Sequence, residues 1–324
     1  MKALMCNAHG LPDTLVYEEV ADPVPGKDEV IIDMKAAGVN FPDVLIIQNK
    51  YQAKPDLPFS PGAELAGVIS AVGEGVTRWK VGDRVIGSSG HGAFAEKVRV
   101  AAKKVIAIPE DVGFDTAAAF TLTYGTSYHA LADRAALQPG ETLLVLGAAG
   151  GVGLAAIEIG KALGATVIAA ASTDAKLAVC KEHGADKLIN YSQGDLRAAI
   201  KDACDGEGPD VIYDPVGGDM AEPAFRTIRW RGRYLVIGFA QGGIPRLPFN
   251  LPLLKGASIV GVFWGNYPNL EPEHFHRDLQ TLFKMIAEGR LRPHVSARYP
   301  LAEGAQALND MMNRKVTGKV VITT

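Results

Sequence analysis

From about residue 141 to about residue 263, short apolar segments alternate with segments of helical periodicity. This alternation limits the possible folds more than any other feature of the chain. Strands that alternate with helices form a parallel sheet with helices on both faces. The sequence therefore predicts an α/β domain with a doubly wound parallel sheet. Its expected strands are the apolar segments 142–147, 166–171, 187–191, 210–214, 233–238 and 258–263.

The N-terminal region, up to about residue 118, has the pattern of a β-rich domain. Short apolar runs such as 29–33 and 67–72 are separated by glycine, proline and aspartate, which favour turns. This pattern is typical of a compact barrel of short strands.

The C-terminal region contains a helical pattern around residues 276–288 and a closing apolar strand at 319–322. The chain has 324 residues, more than one hydrophobic core usually organises, so we expect two domains. We expect the C-terminal region to fold back onto the N-terminal region, which makes that domain discontinuous. The predicted domains are residues 1–118 together with 265–324, and residues 119–264.

Charge and cysteine content exclude several classes of protein. The formal net charge is −3, so no whole-protein field attracts nucleic acid or an anionic membrane. No apolar stretch approaches the ~18 residues that a membrane span needs, and the first residues lack the pattern of a secretory signal. The three widely spaced cysteines, Cys6, Cys180 and Cys204, cannot form a fully paired disulfide framework or a four-cysteine zinc site. We expect a reduced, cytoplasmic protein.

The segment 147–153 reads Gly-Ala-Ala-Gly-Gly-Val-Gly and lies between a predicted strand and a predicted helix. The fingerprint of dinucleotide-binding βαβ units, G-x-G-x-x-G, falls on Ala148, Gly150 and Gly153. Gly151 and Val152 belong to the same turn, whose following helix presents free N–H groups to phosphates. The alternative is a tight turn without a ligand, but four small residues exceed what a turn needs. The segment therefore predicts a dinucleotide site.

The end of the second strand indicates which dinucleotide is bound. An NAD site usually has an acidic residue there, about 20 residues after the glycines, to bind the ribose hydroxyls. Here the position is Ala171 or Ser172, and Lys176 follows one turn into the next helix. We expect Asp174 to cap this helix. Lys176 alone would be interpreted as a solvated surface lysine; with the acidic residue missing, Ser172 and Lys176 favour NADPH.

Six motifs occur along the chain, each weak alone but specific in their order and spacing. They are AAGVNFPD at 36–43, PGAELAG at 61–67, VGDRV at 81–85, AAGGVG at 148–153, DPVGG at 214–218 and GKVVI at 318–322. With these motifs the chain resembles the medium-chain dehydrogenase/reductase superfamily, specifically its zinc-free quinone oxidoreductase (zeta-crystallin-like) branch. The resemblance implies a GroES-like β-barrel catalytic domain built from both chain ends, with a Rossmann domain inserted between them.

The resemblance also implies that the protein binds no metal. Zinc alcohol dehydrogenases have a cysteine at the position of Asn40 and a histidine at the position of Ala63. Glu64 alone cannot hold Zn²⁺, and the four-cysteine lobe of those enzymes is missing as well. Without a Lewis acid, ordinary alcohol oxidation is disfavoured.

The resemblance implies roles for residues on the substrate side. Asn40, Asp43 and Tyr51 would line the substrate and nicotinamide, where Asn40 orients an acceptor oxygen and Tyr51 donates a proton. Thr126 would lie beside the nicotinamide. The alternatives are local: Asp43 caps the helix after Pro42, Tyr51 covers the mouth of the barrel, and Thr126 lies on a helix surface.

Further positions are implied to contact the cofactor. Tyr191 and Arg314 match positions that contact the 2′-phosphate, although Arg314 also fits an ordinary exposed basic turn. The backbone groups of Gly238, Phe239, Phe263 and Trp264, which follow the last strands of the sheet, would contact the nicotinamide. The alternative is that their side chains pack at an interface. Family members commonly form a homodimer through the sheet edge, here near residues 258–263.

The predicted function is NADPH-dependent reduction of a quinone by hydride transfer. A quinone accepts hydride directly, so catalysis consists mainly of positioning two rings in a dry pocket. Two alternatives remain open: reduction of the C=C bond of enones, alkenals or acryloyl-type thioesters, and a non-catalytic NADPH-binding role. The expected partner is a small electron-poor acceptor.

Overall fold

The computed structural model describes residues 1–324, which divide into two compact units. The first unit contains residues 1–121 and 293–324, and the second contains residues 122–292. The first unit is therefore assembled from both chain ends. The chain returns to it at Pro293, whereas the sequence pattern predicted a return near residue 265. The difference arises because the helix at 272–287 buries Phe275 within the second unit, where its ring meets Trp264 edge-on.

The strands and helices are numbered in chain order. The strands are β1 (Lys2–Met5), β2 (Val16–Glu19), β3 (Glu29–Gly38), β4 (Glu64–Val72), β5 (Arg84–Ser88), β6 (Lys97–Ala101), β7 (Val105–Ala107), β8 (Thr142–Val145), β9 (Thr166–Ala171), β10 (Lys187–Asn190), β11 (Val211–Asp214), β12 (Arg233–Val236), β13 (Ser258–Gly261), β14 (Val295–Pro300) and β15 (Lys319–Thr323). The helices are α1 (Phe41–Ile46), α2 (Phe114–Ala118), α3 (Thr121–Tyr128), α4 (Gly151–Ala162), α5 (Asp174–Glu182), α6 (Leu196–Ala203), α7 (Ala221–Phe225), α8 (Asn250–Lys255), α9 (Tyr267–Leu270), α10 (Pro272–Ala287) and α11 (Gly304–Met312).

The first unit is built on a seven-stranded sheet in the order β14-β15-β3-β4-β5-β7, with β6 also paired to β3. All pairs are antiparallel except β14 with β15. The C-terminal strand β15 pairs with β3 so that Val321 faces Gly38. This register joins the two chain ends and brings Lys319 to the end of β3. Apolar residues of both ends, including Ile32, Leu65 and Ile322, share one core.

The second unit contains a six-stranded parallel sheet in the order β10-β9-β8-β11-β12-β13. Each of its strands lies within a segment that the sequence predicts as a strand. The inner strands β8, β9 and β11 are almost entirely buried, as burial on both faces requires, whereas the edge strands β10 and β13 are partly exposed. The strand order reverses between β8 and β11. In open α/β sheets, ligands bind outside the carboxyl ends of the strands at such a reversal.

The entry to α5 differs from the sequence prediction. Thr173, rather than Asp174, is the N-cap, and its hydroxyl oxygen accepts the N–H of Lys176 at 3.3 Å. Asp174 is the first helical residue, and its carboxylate accepts the side-chain amide of Asn190 at 2.7 Å. Thr173 has the extended backbone of an N-cap, with φ −146° and ψ 155°, and its carbonyl accepts the N–H of Leu177 at 3.0 Å.

No helix of the structure combines the length and the apolar character needed to cross a membrane.

Candidate functional site

The glycine-rich turn ends on a helix N-terminus that no side chain caps. Gly150 is the N-cap of α4, and its own N–H donates to the carbonyl of Gly147 at 3.0 Å. The first intrahelical bond runs from the N–H of Leu154 to the carbonyl of Gly150 at 2.9 Å. The N–H groups of the three intervening residues thus have no intrahelical partner, and the helix dipole adds partial positive charge there. This end of α4 is built to receive an anionic group.

Two glycines of this turn have different surroundings. A Cβ atom on Gly153 would lie 2.6 Å from the carbonyl oxygens of both Gly147 and Ala148, so only glycine lets α4 pack against the turn. A Cβ atom on Gly150 would meet only the carbonyl oxygen of Gly147, at 3.4 Å. The other side of Gly150 is open, as the approach of a ligand's phosphates requires. The turn therefore fits a dinucleotide.

The adjoining strand end carries no carboxylate. Ala171, the last residue of β9, is buried, and the half-buried Ser172 follows it. Lys176 is half-buried in the first turn of α5, beside the same strand end. Tyr191 follows the neighbouring strand β10, and its N–H donates to the carbonyl of Ala171 at 3.1 Å. The structure therefore brings Ser172, Lys176 and Tyr191 to the carboxyl ends of two adjacent strands.

Arg314 lies in the first unit, on an exposed turn after α11, with a positive φ of 58°. Its proposed contact with a 2′-phosphate stays a prediction.

The predicted nicotinamide contacts follow the last strands of the second unit. Gly238 donates its N–H to the carbonyl of Asp214 at 3.3 Å, and Phe239 and Phe263 are exposed. Trp264 packs inside the unit instead, edge-on to Phe275, with ring centroids 5.9 Å apart. Its indole ring also lies against Gly125, because a Cβ atom there would approach the indole nitrogen to 2.8 Å.

The structure buries Thr126 on α3, next to Gly125, so Thr126 does not lie on a helix surface.

In the first unit, Asn40 and Asp43 form the N-terminal cap of α1. The N–H of Asn40 donates to the Asp43 carboxylate at 2.8 Å, in a capping box. Burial raises the pKa of the Asp43 carboxyl to about 7, although the N–H groups of Asn40 and Gly62 and the ammonium of Lys319 oppose this rise. Asp43 thus has the local capping role that the sequence left open, and its carboxyl group is buried.

A buried lysine that the sequence analysis did not single out joins this cluster. Lys319, at the start of β15, donates from Nζ to Oδ1 of Asn40 at 2.6 Å, to Oε1 of Glu64 at 3.0 Å and to the carbonyl of Val39 at 3.0 Å. Asn40 in turn donates to Glu64 at 2.9 Å and to the carbonyl of Gly38 at 3.3 Å. In the sequence, this lysine could have been recognised because it is the charged first residue of an otherwise apolar strand, Lys319–Thr323.

This network commits both N–H groups of the Asn40 amide to the protein itself. An acceptor oxygen would have to displace Glu64 or Gly38 to receive a hydrogen bond from Asn40. The arrangement makes Asn40 a residue that organises the cluster, and the predicted orientation of an acceptor oxygen by Asn40 stays untested.

Tyr51 is half-buried and packs against the same core. Burial and the nearby Asp43 carboxyl raise the pKa of the Tyr51 phenol above its ordinary value. At neutral pH Tyr51 therefore keeps its proton, as a proton donor must.

Both units match known protein families. Residues 26–110 match the alcohol dehydrogenase GroES-like domain, and residues 151–287 match the zinc-binding dehydrogenase family. Quinone oxidoreductase-like protein 2 of Rattus norvegicus is 40% identical over 323 residues, which cover 99% of this chain and 92% of that protein.

Solved structures are similar over the whole chain. A probable oxidoreductase from Mycobacterium abscessus is 41% identical with a TM-score of 0.90, and covers 100% of this chain and 99% of its own. Escherichia coli quinone oxidoreductase complexed with NADPH is 30% identical with a TM-score of 0.94, and covers 100% of both chains.

Proposed function

Because the chain belongs to the quinone oxidoreductase branch of the medium-chain dehydrogenase/reductase superfamily, we propose that it is an NADPH-dependent oxidoreductase. Its proposed substrate is a small electron-poor acceptor, and a quinone is the first candidate. The single observation that carries the cofactor assignment is the glycine-rich turn opening onto the uncapped α4, beside a strand end without a carboxylate.

Residues of the second unit would bind the pyrophosphate and the 2′-phosphate of NADPH. The free N–H groups of Gly151, Val152 and Gly153 would bind the pyrophosphate. Ser172, Lys176 and Tyr191 would receive the 2′-phosphate, since Lys176 supplies positive charge where an NAD site would place a carboxylate. When bound, NADPH supplies a hydride at its nicotinamide ring.

The donor set of this chain does not fit a zinc ion, although one matching family is named for zinc. Asn40 and Ala63 cannot replace a cysteine and a histidine, and the ammonium of Lys319 lies against both Asn40 and Glu64. No group of three or more histidine, cysteine or acidic side chains is close enough to hold a metal. We therefore propose a zinc-independent reaction.

A quinone suits such a site because it needs no Lewis acid. Negative charge collects on the quinone oxygen after hydride arrives, and Tyr51 or water can protonate it. Asn40, Asp43 and Lys319 then act by fixing the structure around the start of α1, and Thr126 is proposed to lie beside the nicotinamide.

The cofactor assignment predicts a selective effect of Lys176→Ala. Loss of a charge-assisted contact should raise the KM for NADPH by about 10-fold or more and the KM for NADH by less than about 2-fold. The measurement is steady-state oxidation of both cofactors with 1,4-benzoquinone. Lys181→Ala, in the exposed last turn of the same helix, is the matched control. Equal effects of Lys176→Ala on both cofactors would overturn the 2′-phosphate assignment.

Reduction of an activated C=C bond is the second candidate, because Tyr51 is proposed as a proton donor on the substrate side. Hydride transfer to the β-carbon must be followed by protonation of the α-carbon, so this reaction depends on an acid more than quinone reduction does. Tyr51→Phe should slow turnover of an α,β-unsaturated ketone and leave that of 1,4-benzoquinone unchanged. NADPH binding without turnover of any acceptor would instead support a non-catalytic role.

We also propose that the protein is a cytoplasmic homodimer. All three cysteines are free and buried, which suits a reducing compartment. The outer strand β13 offers an unpaired edge that a second copy would cover.

A further inference from the structure

Two loops lie at the carboxyl edge of the parallel sheet, on the side of the strand-order reversal away from Ser172 and Lys176. Residues 215–218 follow β11, and residues 237–243 follow β12. A dinucleotide spans the reversal, with one half on each side. If the proposed function holds and the adenosine half lies near the ends of β9 and β10, the nicotinamide half lies over these two loops.

One buried carboxylate organises the first loop. Asp214, the last residue of β11, accepts the N–H of Val216 at 2.7 Å and the N–H of Gly217 at 2.9 Å on the same oxygen. Its other oxygen accepts the hydroxyl of Tyr234, which lies on the adjacent strand β12. Asp214 and Tyr234 are both almost fully buried, so water cannot replace any of these three donors.

Backbone hydrogen bonds join the first loop to the second. The carbonyl of Pro215 accepts the N–H of Ala240 at 3.1 Å, and the carbonyl of Val216 accepts the N–H of Gln241 at 2.9 Å. The N–H of Gly218 donates to the carbonyl of Gly243 at 2.9 Å. A displacement of either loop therefore moves both.

The joined loops also contact the glycine-rich turn. A Cβ atom on Gly147 would lie 2.7 Å from Cγ2 of Val216, so the valine packs directly against that turn. Gly217 has a φ of 65°, and a Cβ atom on it would lie 2.8 Å from Cδ1 of Phe239. The ring of Phe239 therefore packs against this glycine. The hydrogen bonds of Asp214 to Val216, Gly217 and Tyr234 thus fix the positions of Val216 and Phe239 next to the expected dinucleotide site.

We infer that Asp214 and Tyr234 are positioning residues for the nicotinamide half of the cofactor. Neither side chain reaches the surface, so neither touches the cofactor itself. They act through Val216, Gly217 and Phe239, whose positions depend on the buried carboxylate. An apolar pair could fill the same space between β11 and β12, but it could not hold two backbone N–H groups in place at the end of β11.

The test compares ligands that fill one half or both halves of the site. Asp214→Asn and Tyr234→Phe should raise the Kd of NADPH by about 5- to 10-fold. The first variant removes the negative charge that strengthens the two backbone hydrogen bonds and places an amide NH2, which cannot accept, against the Tyr234 hydroxyl. The second variant removes the hydroxyl itself. The Kd of adenosine 2′,5′-bisphosphate, which has no nicotinamide, should change by less than about 2-fold. Isothermal titration calorimetry on the purified full-length variants measures both constants without any turnover.

Stopped-flow hydride transfer to 1,4-benzoquinone gives a second readout, and both variants should slow it by about 10-fold or more. Tyr299→Phe is the matched control, because the Tyr299 hydroxyl donates to Asp310 at 2.8 Å and both residues belong to the first unit, which does not contain this sheet. It should leave both dissociation constants unchanged.

Two results would overturn the inference while leaving the proposed function intact: equal weakening of both ligands, which indicates general loosening of the unit, or no change in either. A wild-type protein that fails to bind NADPH would instead overturn the proposed function.

Discussion

At the scale of single residues, the most unusual feature is a buried ammonium in the first unit. The side chains of Lys319 and Glu64 are 5% and 4% exposed, and Nζ of Lys319 lies 3.0 Å from Oε1 of Glu64. Taking two charges out of water is costly, and their attraction compensates only when both are hydrogen-bonded. The Asn40 amide and the Val39 carbonyl provide those bonds, so the cluster is stable as a whole and vulnerable to the loss of one member.

Lys319→Met should therefore destabilise the protein by about 3–5 kcal/mol, because it leaves the Glu64 carboxylate buried without its ammonium partner. The double variant Lys319→Met/Glu64→Gln should recover most of this loss, since neither charge then remains. Urea unfolding followed by fluorescence measures both free energies of unfolding. A loss below about 0.5 kcal/mol in the single variant, the range of ordinary surface substitutions, would show that the ion pair is dispensable.

At the scale of secondary-structure elements, the glycine-rich turn and α4 form one unit in which two glycines have different tasks. Gly153 allows the helix to pack against the carbonyls of Gly147 and Ala148, whereas Gly150 leaves open space on the ligand side. The backbone of Gly150, with φ −78° and ψ 171°, is one that alanine also adopts.

This contrast predicts that substitution by alanine affects ligand binding at Gly150 and stability at Gly153. Gly150→Ala should change the melting temperature little but weaken NADPH binding by about 10-fold or more, because its methyl group enters the space that the phosphates need. Gly153→Ala should lower the free energy of unfolding by about 1–3 kcal/mol through overpacking. Thermal unfolding without ligand and titration with NADPH separate the two quantities. If Gly150→Ala bound NADPH as tightly as the wild type, the open side of Gly150 would not be a ligand surface.

At the scale of the whole molecule, the second unit leaves a group of large apolar side chains exposed on and around its outer strand. Ile259 lies on β13 and Phe263 follows it. Leu253 and Leu254 lie in the last turn of the preceding helix α8. Trp230 is exposed as well, and its ring lies against Gly256. Exposed apolar groups beside an unpaired strand edge are typical of an interface.

We therefore expect light scattering to give a mass of two chains of 34.3 kDa each. Ile259→Lys should shift the protein to the monomer, because a charged side chain would be buried at the interface without a partner. Val81→Lys, at an exposed apolar position of the first unit, is the control and should leave the mass unchanged. A wild-type mass of one chain would contradict the homodimer proposal.

Much of the second unit could be predicted from the sequence because its determinants are local. The six segments predicted as strands each contain a strand, and burial on both faces leaves a continuous apolar signature in the inner strands β8, β9 and β11. The N-terminus of α4 was equally predictable, since glycines at 147, 150 and 153 serve contacts within seven residues of one another. The cap of α5 was wrong by one residue, because threonine and aspartate compete as caps on nearly equal terms.

What the sequence by itself determined is thus the parallel sheet, the glycine-rich turn and the strand end without a carboxylate, all of which depend on neighbours along the chain. Only the tertiary structure showed that Lys319 meets Asn40 across 279 positions, and that Tyr234 meets Asp214 across 20 positions. The first contact depends on the register of β15 against β3, and the second on the adjacency of β11 and β12. No local pattern encodes a strand pairing, because it results from the packing of the whole sheet.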